Sequence, residues 1–372
     1  MTGGGTGGHV NPALAIADII KTNVPGAEIA FVGTSHGIEN RLVPKEGYKL
    51  YHVEISGIRR SLSPANIKTA YRVLTAPRKA AKLIREWKPD IVIGTGGYVC
   101  WPVLRAASSM GIPSMVHEAN AMPGVAVRQL QKRVDVIMTN FGSTADCLDT
   151  DRRVVRVGLP MRGEFGRCTR EQARKKLGIP DKYRYVILSF GGSLGAPMVN
   201  RASLEVMRDF VCDREDILHF HSSGSREKDS ARKMFSDFGL EGRENLVLDE
   251  YIYDMPLKMA AADVVICRAG AMTIAEVERM KRASVLIPSP NVTDNHQFKN
   301  AKVLGDAHAA VVVEEKDMDD GRVTEAVRTL IEDDAYRERL AANAGALCDT
   351  DTGRKIFDEI ASLMKKYNKP VV

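Results

Sequence analysis

Five short segments of the sequence carry residues whose types and spacing suit ligand chemistry. The first is Gly3-Gly4-Gly5-Thr6-Gly7-Gly8-His9, followed by Asn11-Pro12 and an apolar run. Glycines let backbone amides come close to a ligand, and a helix N-terminus favours negative charge. Asn11 suits an N-cap and Pro12 a first helical position, so a helix is predicted to begin there. His9 is a candidate general base near neutral pH. Gly3-x-Gly5-x-x-Gly8 also fits a dinucleotide fingerprint, but no clear ribose-binding acid follows about 20 residues on.

The second segment, Gly191-Gly192-Ser193-Leu194-Gly195, echoes the first, with Ser193 as a candidate N-cap. The third is Arg268-Ala269-Gly270-Ala271-Met272-Thr273-Ile274-Ala275-Glu276. Small residues at a helix start leave amides free for a phosphate. Glu276 can accept two sugar hydroxyls, although Thr273-x-x-Glu276 is equally a capping box. In the fourth, Asp294-Asn295-His296-Gln297, Gln297 either reads a sugar hydroxyl or completes a second capping pattern. The fifth runs from His117 to Gly124. Glu118 is there a second candidate acid or base, or else a solvated loop carboxylate, and Asn120 is a polar neighbour at the end of a strand.

These segments need a frame that holds loops at strand ends. Short apolar runs supply it: Ile29–Gly33, Asp90–Gly94, Pro113–His117 and Val134–Met138, then Tyr185–Phe190, Ile217–Ser222, Asp263–Cys267 and Ala283–Pro288. Helical spacing lies between them, as in Ala13, Ile16, Ala17 and Ile20. Such alternation reads as parallel sheets covered by helices on both faces. The pattern restarts after Gly158-Leu159-Pro160-Met161, which divides the chain into α/β domains at 1–160 and 161–352. Only Met1 and Thr2 precede the first glycines, where a doubly wound sheet places its central strand. The first sheet is therefore expected to lack that strand, with the natural start further upstream.

With 44% hydrophobic and 27% charged residues the chain can bury real cores. It has no apolar run of spanning length and no leader pattern before the glycines. Six scattered cysteines without a CxxC pair argue against structural zinc and fit a reducing compartment. No P-loop motif is present. Asp149-x-Asp151 and Asp349-x-Asp351 look like metal-binding pairs but sit in polar, loop-like contexts and read as solvated turns. Residues 1–160 hold 20 Lys/Arg against 12 Asp/Glu, whereas 161–372 hold 33 against 35, so the first domain is the one expected to face an anion. Its stretch Arg59–Lys88 has nine Lys/Arg and one acid, Glu86. Apolar stripes run through it (Ile67, Ala70, Tyr71, Leu74; Ala80, Leu83, Ile84, Trp87), and Arg78, Lys82 and Arg85 share another face. This suits an anionic membrane surface, or else ordinary packing with a solvated charged side.

Taken in order and spacing, Gly3–His9, Gly94–Val99, His117–Gly124, Gly158–Arg162, Gly191–Ala196, Arg268–Glu276 and Asp294–Ala301 resemble glycosyltransferase family 28 over nearly the whole chain. The resemblance implies a GT-B architecture of two Rossmann-like domains, with a C-terminal helix (353–372) returning to the first. It implies a UDP-GlcNAc donor and a lipid I acceptor (undecaprenyl-pyrophosphoryl-MurNAc-pentapeptide), at the cytoplasmic face of an anionic membrane without spanning it. No cofactor, metal or nucleic-acid partner is implied. Carried over, Ser193 and Arg162 contact the nucleotide-diphosphate side and Ile252 the uracil. The turn Ala271, Met272, Thr273, Ile274, Ala275 meets the diphosphate, Glu276 the ribose and Gln297 the sugar hydroxyls. Thr6, Gly7, Gly8 and Asn120 reach the donor sugar, and His9 or, failing it, Glu118 is the base. Ala119 departs from the family's common glutamine, and Cys100-Trp101 from smaller residues, on the expected acceptor side.

Overall fold

The structure is a computed structural model; it describes residues 1–55, 65–163, 165–318, 320–369 and 371, with backbone alone for 65–71. The chain forms two compact units, one of Met1–Arg162 with Asp349–Val372, the other of Gly163–Cys348.

In the first unit, β1 (Ala30–Gly33) pairs with β2 (Lys49–His52), and β3 (Val92–Gly94), β4 (Ser114–Glu118), β5 (Val136–Thr139) and β6 (Arg153–Arg156) follow in order, all parallel. Met1 and Thr2 stand where a gap was expected. Thr2 bridges Val32 on one side and Gly94 on the other. Its N–H donates to Ile93 O (2.8 Å), its C=O accepts from Thr95 N (2.9 Å), and Met1 O accepts from Val32 N (2.9 Å). Two residues thus join the strand pair to the four-stranded sheet, and the glycine loop leaves the middle of that sheet.

Helices Gly7–Asn23 and Thr352–Lys366 share one apolar layer in this unit. Ile356, Ile360, Leu363 and Met364 pack with Ile16, Ile93, Met115, Val136 and Met138. Burying each such side chain contributes roughly 1.5–3 kcal/mol. Tyr367 O–H donates to Asp135 Oδ1 (2.9 Å) beyond the end of the second of these helices.

The second unit holds β7 (Tyr185–Phe190), β8 (Ile217–Ser222), β9 (Leu246–Asp249), β10 (Val264–Cys267), β11 (Ala283–Leu286) and β12 (Val311–Val312). Their spatial order is β12-β11-β10-β7-β8-β9, all parallel. Read from β9, this is the 3-2-1-4-5-6 order of a Rossmann sheet, whose ligand crevice opens beyond the carboxyl ends of the two strands where the order reverses. Those strands are β7 and β10, and Gly191–Gly195 and Arg268–Glu276 follow them directly. The first unit repeats this logic, with Met1–Thr2 and β3 as the pair at the reversal. Behind the second sheet, Ile187, Val264, Ile266 and Val285 pack on helices Pro197–Val206 and Arg322–Glu332 through Val199, Leu204, Val327 and Leu330.

Candidate active site

In the first unit the helix begins at Gly7, with Thr6 as its N-cap residue. Asn11 and Pro12 lie inside it, contrary to the sequence reading. The reason is that Gly7, Gly8 and His9 already take helical backbone, with His9 N and Val10 N both donating to Thr6 O (3.1 Å each). Amides at the first helical positions have no carbonyl a turn behind them. A Cβ placed on Gly7 or Gly8 would meet only ordinary contacts at 3.7 Å, so these glycines leave room that the protein does not fill. Gly96 and Gly97 are glycine for the opposite reason. Both have left-handed backbone, and side chains there would strike His9 and the Gly4 backbone. The loops after Thr2 and β3 therefore touch backbone to backbone.

His9 is partly buried, with Nδ1 3.1 Å from Gly4 O and 3.2 Å from Thr6 Oγ1. A carbonyl oxygen only accepts, so Nδ1 carries the proton and the lone pair of the neutral ring is on Nε2. Glu118 is not solvated. It is 5% exposed, and its carboxylate accepts from Asn120 N (3.0 Å), Asn120 Nδ2 (3.1 Å) and Gly124 N (2.7 Å). Burial pushes its carboxyl up despite these bonds. It fixes the turn that carries Asn120, whose C=O accepts from Thr144 Oγ1 (3.1 Å). Ala119 and Cys100 are core residues here.

In the second unit, Ser193 lies in an exposed loop and is not the N-cap, which is Ala196. Gly195 and Gly224 both have positive φ, and each leaves no space for a side chain beside the other's loop. Ser193 itself is exposed, and its backbone O accepts from Ser225 N (3.2 Å). Helix Ala271–Met280 is capped by Gly270 backbone without a side-chain bond. Thr273 sits within its first turn, so the capping-box reading of Thr273 and Glu276 does not hold. Glu276 lies one turn further in, largely buried, and no donor among the described residues reaches its carboxylate. Burial raises its pKa to about 8.

Ile252 has its side chain in the core (3% exposed), so only its backbone N–H and C=O can meet a ligand. Among the described residues neither group has a partner. Tyr251 and Tyr253 flank it in an edge-to-face pair 4.9 Å apart. The second capping pattern also fails. Asp294 and Asn295 both adopt left-handed backbone (φ 54° and 51°), a conformation that costs a non-glycine residue on the order of 1 kcal/mol or more. Helix His296–Asp306 starts after them, and Gln297 Oε1 accepts from Ser289 N (2.9 Å). That bond holds Gln297 and leaves its amide N–H groups for another acceptor.

The first unit thus offers an imidazole at the start of a helix with open first-turn amides; the second offers a helix N-terminus with a carboxyl one turn in and, after β9, a peptide edge, neither of which has a partner among the described residues. This is what a nucleotide-sugar transferase requires. Residues 1–139 match the glycosyltransferase family 28 N-terminal domain and residues 186–360 the family 28 C-terminal domain. The chain belongs to glycosyltransferase family 28. It is 40% identical over 365 residues, 98% of each chain, to the UDP-N-acetylglucosamine--N-acetylmuramyl-(pentapeptide) pyrophosphoryl-undecaprenol N-acetylglucosamine transferase of Acetivibrio thermocellus. The protein of the same name from Caldanaerobacter subterraneus subsp. tengcongensis is 38% identical over 370 residues, covering 98% of this chain and 99% of that one. The crystal structure of Acinetobacter baumannii MurG superposes with a TM-score of 0.78 at 29% identity, covering 97% and 98% of the two chains. The two Rossmann-like domains have the GT-B architecture.

Within this family 28 chain, Arg162 is not open to a ligand in the structure. Its guanidinium is held by Asp18 (2.8 Å) and Glu46 (2.7 Å) in the first unit. The bonds to Glu46 above all, then those to Asp18, stabilise the charged form and push its pKa up. Asp149 and Asp151 are exposed, but the Asp349 side chain is 8% exposed, ion-paired with Lys355 and pressed on Gly158, so it is not a solvated turn residue. No cluster of three metal-ligating side chains occurs among the described residues. Sequence reasoning missed Glu39. It is fully buried, and it braces the glycine loop by accepting from Gly5 N (2.9 Å). Its loop partner stands 34 residues away, so no local pattern marks it.

Proposed function

We propose that this glycosyltransferase moves N-acetylglucosamine from UDP-GlcNAc to the MurNAc 4-hydroxyl of lipid I, forming lipid II. The observation that carries this reading is the identity of 40% over 98% of both chains to a transferase of that name. The reaction is a single inverting displacement. The acceptor oxygen bonds to the anomeric carbon, the bond from that carbon to the diphosphate oxygen breaks, and UDP leaves. The hydroxyl proton passes to Nε2 of His9, the ring atom left basic by the Nδ1 bond to Gly4 O. Glu118 is the lesser candidate, because its carboxylate is already occupied by three donors.

Donor recognition belongs to the second unit. The backbone of Ile252 matches the N–H and C=O edge of uracil, and Glu276 the ribose hydroxyls. Amides of Ala271, Met272 and Thr273, with the Ser193 hydroxyl, meet the diphosphate and the charge that develops on it as UDP departs. Ile274 and Ala275 complete this turn, and Gln297 reads a sugar hydroxyl. Arg162 can assist only by leaving Asp18 and Glu46. Thr6, Gly7, Gly8 and Asn120 take the sugar and acceptor side.

Attachment to the membrane is peripheral, at the cytoplasmic face. No helix among the described residues is long and apolar enough to cross a bilayer. Helix Ala65–Trp87 buries Ala76, Ala80 and Ile84, exposes Arg78, Lys82 and Arg85, and leaves Leu74 70% exposed beside them. Arg59, Arg60 and the side chains of Ile67, Lys68, Ala70 and Tyr71 lie outside the described residues. A basic face with an exposed leucine suits an anionic lipid surface.

The test is transfer of labelled GlcNAc from UDP-GlcNAc to a lipid I analogue, with the product analysed. A β-linked disaccharide on the lipid is expected. Conversion of UDP-GlcNAc to its 2-epimer without any lipid-linked product would overturn the assignment.

A further inference from the structure

We propose that Glu39 is the positioning residue for His9 and acts through the single peptide unit between Gly4 and Gly5. That unit presents one group at each edge. Its N–H, from Gly5, donates to Glu39 Oε2 at 2.9 Å. Its C=O, from Gly4, accepts from His9 Nδ1 at 3.1 Å. The carboxylate and the imidazole are therefore bonded to opposite ends of one planar, conjugated group. A negative charge at the N–H end polarises the peptide and makes the oxygen at the other end a stronger acceptor. Gly4 O then keeps the proton on Nδ1 and favours the imidazolium that forms when Nε2 takes the acceptor's proton. An aspartate does this directly in a serine-protease triad; here one peptide stands between. The inference rests on the reading of His9 as the base.

Three further observations fit a dedicated carboxylate. The two oxygens divide the work. Oε1 accepts from Thr34 N (2.8 Å) and Thr34 Oγ1 (2.9 Å), which leaves Oε2 for the glycine loop. Burial alone raises the Glu39 carboxyl, but the bonds from Gly5 and Thr34 outweigh it and hold the pKa below its ordinary value, so the group stays ionised at neutral pH. The surroundings are also cleared for it. A Cβ on Gly4 would lie 2.6 Å from Oε1, one on Gly33 2.5 Å from Cγ, and Gly37 has still less room. Among the described residues, His9 Nδ1 meets Thr6 Oγ1 and Gly4 O, and the ring edge lies against the Gly96 backbone.

The experiment compares Glu39→Gln, His9→Ala and the double variant in the transfer assay across pH, with UDP-GlcNAc affinity and thermal unfolding measured alongside. Glutamine keeps the shape and the Thr34 contact but removes the charge. The expected result is a fall in kcat/KM of about tenfold, the usual effect of losing an outer hydrogen-bond partner. The acidic limb of the profile should move to lower pH, since the imidazolium loses support. In the His9→Ala background the same change should cost less than about twofold, because coupled residues are not additive. An unmoved limb, or the same loss in both backgrounds, would overturn the proposal and leave Glu39 a structural brace. A fully active His9→Ala would instead overturn the base assignment itself. If Glu39→Gln does not fold, 15N spectra of histidine-labelled wild-type protein decide the matter. Neutral His9 must carry its proton on Nδ1, and a proton on Nε2 refutes the relay.

Discussion

Replacing Glu276 by glutamine separates a cost in stability from a gain in binding that share one carboxyl. Burial raises this carboxyl from an ordinary 4.5 to about 8, with no donor among the described residues to relieve it. Below pH 4.5 the group is neutral in both folded and unfolded chains and costs nothing. Between 4.5 and about 8 the unfolded chain ionises while the folded one does not, so stability falls as pH rises, and above that the whole cost is present. At about 1.4 kcal/mol per pH unit the shift to about 8 corresponds to a cost of up to roughly 5 kcal/mol. Glu276→Gln should therefore raise Tm by about 10–20 °C at pH 8.5 and only slightly at pH 5.

Binding should move the other way. If the ionised carboxylate accepts the ribose hydroxyls, only that fraction of the free protein is competent, about a tenth at pH 7 and about three quarters at pH 8.5. Wild-type affinity for UDP-GlcNAc should then rise about eightfold between these pH values. The glutamine variant should lose that dependence and bind at least tenfold more weakly at pH 8.5, the usual worth of a hydrogen bond to a charged group being about 1.5–3 kcal/mol. Calorimetric titration and thermal unfolding at pH 5, 7 and 8.5 check both halves. A wild-type affinity flat between pH 7 and 8.5, or a glutamine variant that binds as tightly as wild type at pH 8.5, would refute the reasoning.

Other expectations are simpler. Gly97→Ala forces a left-handed alanine against the Gly4 backbone; it should abolish transfer while the second unit still binds UDP-GlcNAc, measurable by calorimetry. His219 and His221 are buried on either side of Ser189 Oγ (2.8 Å each), and burial holds both below the ordinary histidine value of 6.5, His221 at about 4. Their contribution is intact above pH 6.5 and is lost as pH falls towards 4, by up to about 1.4 kcal/mol per unit for each. Urea unfolding at pH 7 and 5 should show this slope, smaller in His221→Gln; an identical slope in the variant would count against it. Changing Arg78, Lys82 and Arg85 to alanine should weaken binding to phosphatidylserine vesicles by about 1 kcal/mol per residue, an effect that high salt erases.

The parallel α/β frame was legible because its central strands are continuous apolar runs. Tyr185–Phe190 and Ile217–Ser222 have the same bounds in sequence and structure. Edge strands were not. Lys49–His52 and Arg153–Arg156 each expose their two end residues and carry charge, so nothing distinguishes them from loop. Helix starts were misplaced wherever glycine preceded them, since side-chain caps were sought at Asn11 and Ser193 but backbone glycines let the helix begin earlier or later. Spacing alone could not choose between cap and ligand roles for Glu276 and Gln297. That depends on where each helix begins, and a left-handed Asp294 and Asn295 leave no sequence signal beyond tolerance of that conformation.

The helix Thr352–Lys366 has a consequence for how the chain is made. Its apolar face completes a layer whose other members, Ile16, Ile93 and Met115, are translated hundreds of residues earlier. At about 5–20 residues per second, the ribosome spends roughly 10–40 s on the intervening second unit. Through that interval the nascent first unit has an apolar layer that this helix has yet to cover. A truncation ahead of Thr352 therefore takes side chains from the core of the first unit and none from that of the second.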